Sequence, residues 1–158
     1  MSDISKERIR EIDDFRLPAY KEIPDVGLYL DQTSKYLDAC LNAFEGYSLT
    51  ASMISNYVKN RLIANPIKKQ YYRDQIACLL FIALSKNVLP LDKVAVLLKE
   101  AYDVNGFYNR FSALFEDTLH KVFRKEKLGS PDSDDLLSDV VITSVYQIYL
   151  NERMKSIE

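Results

Sequence analysis

Between Gly46 and Arg73 the chain has no Asp or Glu, yet it holds Lys59, Arg61, Lys68, Lys69 and Arg73. The whole chain of 158 residues has a net charge of −2, so the remainder carries −7. Global charge argues against a nucleic-acid partner, but its distribution argues for one. The plain alternative is a solvated basic face without a partner. Within the stretch, Thr50 is placed to cap a short helix, because its hydroxyl can accept from an N–H of the first turn. Ile54, Tyr57 and Val58 then repeat at the spacing of one buried stripe. Ser52, Ser55, Asn56 and Lys59 fall on the opposite side. Such a face can enter a DNA major groove without bringing a carboxylate to the phosphates.

The connector ANPIKKQYYR begins with the turn signal Asn65–Pro66 and is long enough only for a very small β-hairpin. Lys68 and Lys69 would point at the phosphate backbone from it, adding affinity but little sequence information. Tyr71 either stacks on a sugar or packs beneath the hairpin. Upstream, Asp25 can cap a helix reaching about Phe44, with Val26, Tyr29, Leu30, Thr33, Leu37, Cys40, Leu41 and Phe44 as its buried stripe. The short link Glu45–Ser48 requires that helix to pack closely on the next, as in a helix-turn-helix.

The run MISNYVKNRLI, then Pro66, Lys68, Lys69 and Tyr71, then IACLLFIALSKNVLPLDKVAVLL, resembles the DNA-binding half of MerR-type winged-helix regulators. More closely, LPAYKEIPDVGLYLDQ, MISNYVKNRLI and KKQYYRDQIACLLFI are similar to a bacterial family known only as a domain of unknown function. That family is itself presumed MerR-like in its first part. The resemblance spans roughly residues 17–105 and implies a DNA-binding transcriptional regulator. The chain departs from the pattern twice. Asn60–Arg61 stands where a Gly usually ends the short helix, and Tyr72 stands where a Ser cap is usual. Asn60 is expected to take the left-handed turn, because Asn tolerates it better than Arg.

Few glycines (four), five prolines and scarce β-branched runs make a helical composition. The expected fold is mainly α: a MerR-like helix-turn-helix with a minimal wing, followed by a C-terminal helical bundle. Residues 1–24 read as an N-terminal arm and connector, 25–105 as the helix-turn-helix domain, and 106–158 as a C-terminal region for packing or dimerisation. Helices are expected over 4–14, 73–87 and from Pro90 to about Tyr102, with a break at Asn105–Gly106. Two more follow. One carries Phe107, Phe111, Leu114, Phe115, Thr118, Leu119, Val122 and Phe123. The other, capped by Ser133 or Asp134 after a loop over Lys127–Asp134, carries Leu137, Val140, Val141, Ser144, Val145, Ile148 and Tyr149. These stripes suit a monomeric core, a homodimer interface or an apolar effector pocket, and paired half-sites favour the dimer.

Cys40 and Cys78 sit among apolar neighbours and read as small buried hydrophobes in a reducing compartment, with a disulfide or redox switch as the alternative. The charged start MSDISKERIREIDD is unlike a signal peptide, and no apolar run approaches a membrane span of about 18 residues, so a cytoplasmic protein is expected. His120, the only histidine, has no Cys or second His near it, and four scattered glycines make no phosphate loop. No enzyme, metal or cofactor is expected. The expected function is sequence-specific binding of double-stranded DNA through Ser52, Ser55, Asn56, Lys59, Arg61, Lys68, Lys69, Tyr71 and Arg73. The alternatives are a non-enzymatic protein-interaction module, and a small-molecule sensor with its ligand among Phe107, Phe111, Phe115 and Tyr146.

Overall fold

The structure, a computed structural model, describes residues 3–101, 103–128 and 135–158. It is mainly helical. Among the described residues there are seven α-helices: α1 (Lys6–Asp13), α2 (Leu30–Leu41), α3 (Ala51–Lys59), α4 (Arg73–Ser85), α5 (Leu91–Lys99), α6 (Val104–Phe123) and α7 (Leu136–Lys155). A single 3-10 turn covers Tyr20–Glu22, and pairing of β type is limited to two isolated antiparallel bridges, Leu28 with Tyr71 and Ile67 with Gln70. The chain forms two compact units, residues 18–110 and residues 1–17 with 111–158.

The 18–110 unit is built on α4. Every residue from Gln75 to Ser85 except Cys78 is buried, so this helix is enclosed on all sides. Its one long polar side chain there, Gln75, has to be satisfied, because an unmet buried amide costs about 1–3 kcal/mol. Gln75 Oε1 accepts from the Tyr72 N–H (2.7 Å), and Nε2 donates to the carbonyls of Ala64 (3.1 Å) and Asn65 (2.8 Å). One side chain thus caps the helix and ties down the turn that leads into it.

Asp25 does not cap α2. Its carboxylate accepts from the Arg73 N–H at 3.1 Å and so helps cap α4, where Tyr72 offers no side-chain oxygen to the first turn. Residues 26–29 are outside the helix instead, since Leu28 and Tyr71 exchange backbone hydrogen bonds (2.9 and 2.7 Å). Gly27 permits this approach: it has φ +88°, and a Cβ there would lie 3.0 Å from Gln70 Cδ. The helix therefore starts at Leu30. Val26 and Tyr29, expected in the buried stripe, are exposed, while Thr33, Leu37, Leu41 and Phe44 are buried as the spacing predicts. α2 packs on α3, and Ser34 Oγ donates to the Leu49 carbonyl (2.7 Å) in the link between them.

Asn105–Gly106 is not a break but lies in the first turn of α6, where unpaired N–H groups tolerate both residues. Tyr102 lies outside the described residues, as do Ser133 and Asp134, the expected caps of α7. That helix follows Asp135, whose carboxylate accepts from Ser138 Oγ (2.7 Å).

In the other unit, α1 is not a loose arm. Ile12 is fully buried, and Arg8 forms a two-point ion pair with Glu152 of α7, Nε–Oε2 3.1 Å and Nη2–Oε1 2.7 Å. Phe111, Phe115, Leu119, Val122 and Phe123 of α6 and Leu137, Val140, Val141, Val145 and Ile148 of α7 fill the core, as their periodicity predicts. Burial alone would raise the Glu152 pKa. The Arg8 hydrogen bonds and charge, with Lys155 behind, outweigh that and hold the carboxyl below its ordinary value.

Two outcomes follow from these contacts. Gln75→Leu leaves two carbonyls and the Tyr72 amide without their partner; it should cost about 2–3 kcal/mol in urea unfolding. Faster hydrogen exchange at the Tyr72 amide would tie that loss to the cap. A depressed carboxylate stabilises above its unfolded pKa, and this stabilisation is lost as pH falls through the folded pKa. The Arg8–Glu152 tie is therefore intact at neutral pH and weakens in acid. Glu152→Gln should cost about 2 kcal/mol at neutral pH, between an exposed and a fully buried pair, and much less at pH about 3. Equal losses at both pH values would exclude the ion pair as the source.

Candidate functional site

The exposed polar segment begins on α3. Thr50 Oγ1 accepts from the Met53 N–H at 3.1 Å, as expected for the cap. Ile54 and Tyr57 are buried against the unit and Val58 is half-buried. Ser52, Ser55, Asn56 and Lys59 are exposed together on the other side. Asn56 Oδ1 accepts from Asn60 Nδ2 (3.0 Å) while the side chain stays exposed.

α3 ends in a Schellman arrangement: the Leu62 N–H bonds the Tyr57 carbonyl (2.9 Å) and the Arg61 N–H bonds the Val58 carbonyl (3.0 Å). The left-handed residue is Arg61, at φ 62°, and not Asn60, at φ −89°. The motif's own register decides this, because the position after the cap must turn left-handed whatever its side chain, at a cost of about 1–2 kcal/mol for a residue with a Cβ.

The connector makes the smallest hairpin that chemistry allows. Ile67 and Gln70 exchange both backbone bonds (3.0 and 2.9 Å), and Lys68 and Lys69 between them have φ 50° and 66°. Two positive φ values mark a type I′ turn, in which Asn-Gly is the favoured pair and two lysines are strained. Both lysines are exposed at its tip. Every non-glycine residue with positive φ among the described residues is basic: Arg61, Lys68, Lys69 and, in the other unit, Lys125.

Two sequence-predicted site residues are withdrawn from the surface. Tyr71 is 4% exposed, beneath the hairpin and bridged to Leu28, so of its two expected roles the packing one is realised. Burial also raises its pKa. Arg73 is half-buried and committed to structure. Nε donates to the Ile23 carbonyl (2.9 Å) and Nη2 to the Lys21 carbonyl (3.0 Å), and the guanidinium lies over the Tyr20 ring at 5.4 Å. The Tyr20 hydroxyl donates to Asp74; burial first and this carboxylate second push it up to about 12. Arg73 thus straps the segment before α2 to α4. No local sequence signal marks it, because its partners lie about fifty residues upstream.

The absence of carboxylates holds along the chain but not fully in space. Asp31 of α2 joins Lys69, Tyr29, Leu30, Pro66 and Tyr71 around a shallow depression of about 420 Å³. A second cleft, about 310 Å³, is lined by Asp25, Asn65, Tyr72, Arg73 and Asp74, all but Tyr72 and Asn65 already charged and paired within the unit. The outward cations that remain are Lys59, Arg61, Lys68 and Lys69.

Elsewhere, Cys40 and Cys78 are free thiols, and burial raises both, Cys78 to about 12. Phe111 and Phe115 pack on each other within a core, Phe107 packs edge-on to Phe81 (5.0 Å), and Tyr146 is exposed. These rings fill space or meet solvent. Among the described residues no group of His, Cys, Asp and Glu is arranged to hold a metal, and no helix is long and apolar enough to cross a membrane.

No curated protein and no solved structure matches the chain. Residues 18–117 match a family described as a domain of unknown function, DUF1836. That span covers the α4-centred unit with its exposed basic segment, and more than half of the sequence. The chain belongs to the DUF1836 family.

Proposed function

We propose that residues 25–105 are a MerR-like helix-turn-helix with a minimal wing, and that the protein binds double-stranded DNA as a non-enzymatic transcriptional regulator. In this reading α2 and α3 are the paired helices, α3 enters the major groove and the Ile67–Gln70 turn is the wing. The observation that supports it most is the exposed set Ser52, Ser55, Asn56 and Lys59, followed by Arg61, Lys68 and Lys69 in strained left-handed conformations. Strain of this kind persists where the surrounding structure imposes it and concentrates at functional sites. An Asn-Gly turn would be more stable, so two lysines there are explained by what they contact.

The roles divide by chemistry. Asn56 would read a base edge, since an amide can donate to and accept from adenine. Lys59, Arg61, Lys68 and Lys69 would hold phosphates. Tyr71 and Arg73 would act only by supporting the hairpin and the start of α4.

Anisotropy with random duplex DNA across a salt series tests the reading. Four neutralised phosphates give a log–log slope of about −3.6. Lys68→Ala should flatten the slope by about 1 on every sequence, whereas Asn56→Ala should relax preference at one base pair by about 1–3 kcal/mol. No binding at about 50 mM salt would sink the proposal and point to an acidic protein as the partner of this face. A further check separates strain from contact. Lys68→Asn with Lys69→Gly should raise stability by about 1 kcal/mol in thermal unfolding while lowering DNA affinity. If affinity survives, the tip lysines are not phosphate contacts.

A further inference from the structure

In the unit of residues 1–17 and 111–158, the start of α1 meets the end of α6 and the last turns of α7. Between them lies a partly enclosed cavity of about 220 Å³. Ile4, Ile9, Phe123 and Tyr149 line it, with Asp3, Lys125 and Arg153 as the charged members. Phe123 and Tyr149 meet edge-on at 5.2 Å, and the Arg153 guanidinium lies over the Tyr149 ring at 5.9 Å. Two rings and two isoleucines thus form an apolar wall with a cation standing on it. A cavity of about 150 Å³ is enough for benzene, so this one has room for a ring and a small polar group.

Surface hollows are common, and the charges distinguish this one. Arg8, Lys121, Arg124 and Lys155 of the same unit each hold a carboxylate. Among the described residues no carboxylate pairs with Lys125 or Arg153 in this way. Lys125 is strained as well, at φ 58°. It stands where α6 ends in a Schellman arrangement: the Glu126 N–H bonds the Lys121 carbonyl (2.8 Å) and the Lys125 N–H bonds the Val122 carbonyl (3.1 Å). Glycine is the residue that this position favours. A cation suits a helix C-terminus, but Lys121 in the last turn already supplies one without strain. Lys125 and Arg153 against Asp3 leave the lining with a single net positive charge. One carboxylate matches that balance, and a dianion exceeds it.

We propose that this cavity binds a small aromatic monocarboxylate, its ring against Phe123 and Tyr149 and its carboxylate held by Arg153 and Lys125. A guanidinium offers two parallel N–H donors that match both carboxylate oxygens, and the lysine adds a point charge. Burial of the ring against the apolar wall supplies affinity, and the charges fix its orientation. All seven lining residues lie outside residues 18–117, the span that matches the family. The inference rests on this unit alone and stands whether or not the protein binds DNA.

Titration of benzoate into the full-length, isotope-labelled chain, followed by NMR, tests it. The expected result is saturable shifts at the amides of Ile9, Lys125 and Tyr149, with a Kd on the order of 1 mM for so small a ligand. Benzamide keeps the shape without the charge, and inorganic phosphate has charge without the ring. Each should bind at least about tenfold more weakly than benzoate. Arg153→Gln should weaken benzoate about tenfold. Lys125→Gly should weaken it several-fold without lowering the melting temperature, because glycine fits the left-handed position. No saturable shift up to about 10 mM benzoate overturns the proposal. So does benzamide or phosphate binding as tightly as benzoate, or benzoate binding that is indifferent to both substitutions.

Discussion

The amide of Gln75 is the constraint on which the 18–110 unit turns. α4 is enclosed from Gln75 onward, and its first N–H groups have no partner within the helix. Tyr72 at the cap position has no oxygen that bends back to them. Gln75 supplies one acceptor from within the helix and Asp25 another from a distant strand-like segment. The remaining N–H groups of the same Gln75 amide then hold the Ala64–Asn65 carbonyls, which sets where the chain leaves α3 and enters the hairpin. Core satisfaction and surface presentation are one set of hydrogen bonds here.

That coupling explains why the basic segment can be strained without collapsing. Leu62 and Ile63 anchor one side of the connector, and Tyr71 and the Leu28 bridge anchor the other. Between fixed ends the chain has only a two-residue turn to reverse direction, so Lys68 and Lys69 adopt left-handed backbone at a cost of about 1 kcal/mol relative to an Asn-Gly turn. Arg61 adds a third such residue at the end of α3. The burial around α4 offsets this cost, and the reward is a row of cations on short, stiff backbone.

The second unit solves a different problem. α1 is short and strongly charged, with Ile12 as its only buried residue, and could not be stable alone. The Arg8–Glu152 pair and Ile12 dock it, so residues remote in sequence complete one core. With the inner face of α7 filled in this way, Leu136, Tyr146, Leu150 and Met154 are left exposed on its outer side.

Local chemistry was legible in the sequence. Thr50 capping α3, the outward set from Ser52 to Lys59, the buried stripes of α6 and α7 and the minimal size of the hairpin follow from periodicity, capping and chain length, which act over a few residues. What escaped was long-range. The start of α2 moved from Asp25 because Leu28 found a backbone partner in Tyr71; Arg73 turned inward because carbonyls about fifty residues away took its guanidinium; of the two roles open to Tyr71, burial is the one realised. Asn60 yielded the left-handed position to Arg61 because the register of the Schellman hydrogen bonds outranks side-chain preference. The sequence by itself determined where the helices lie and most of the face that each buries, since those depend on neighbours one turn away. Only the tertiary structure decided where α2 begins, which cations of the basic segment point outward and which residues carry strain, because each depends on what the folded chain brings alongside.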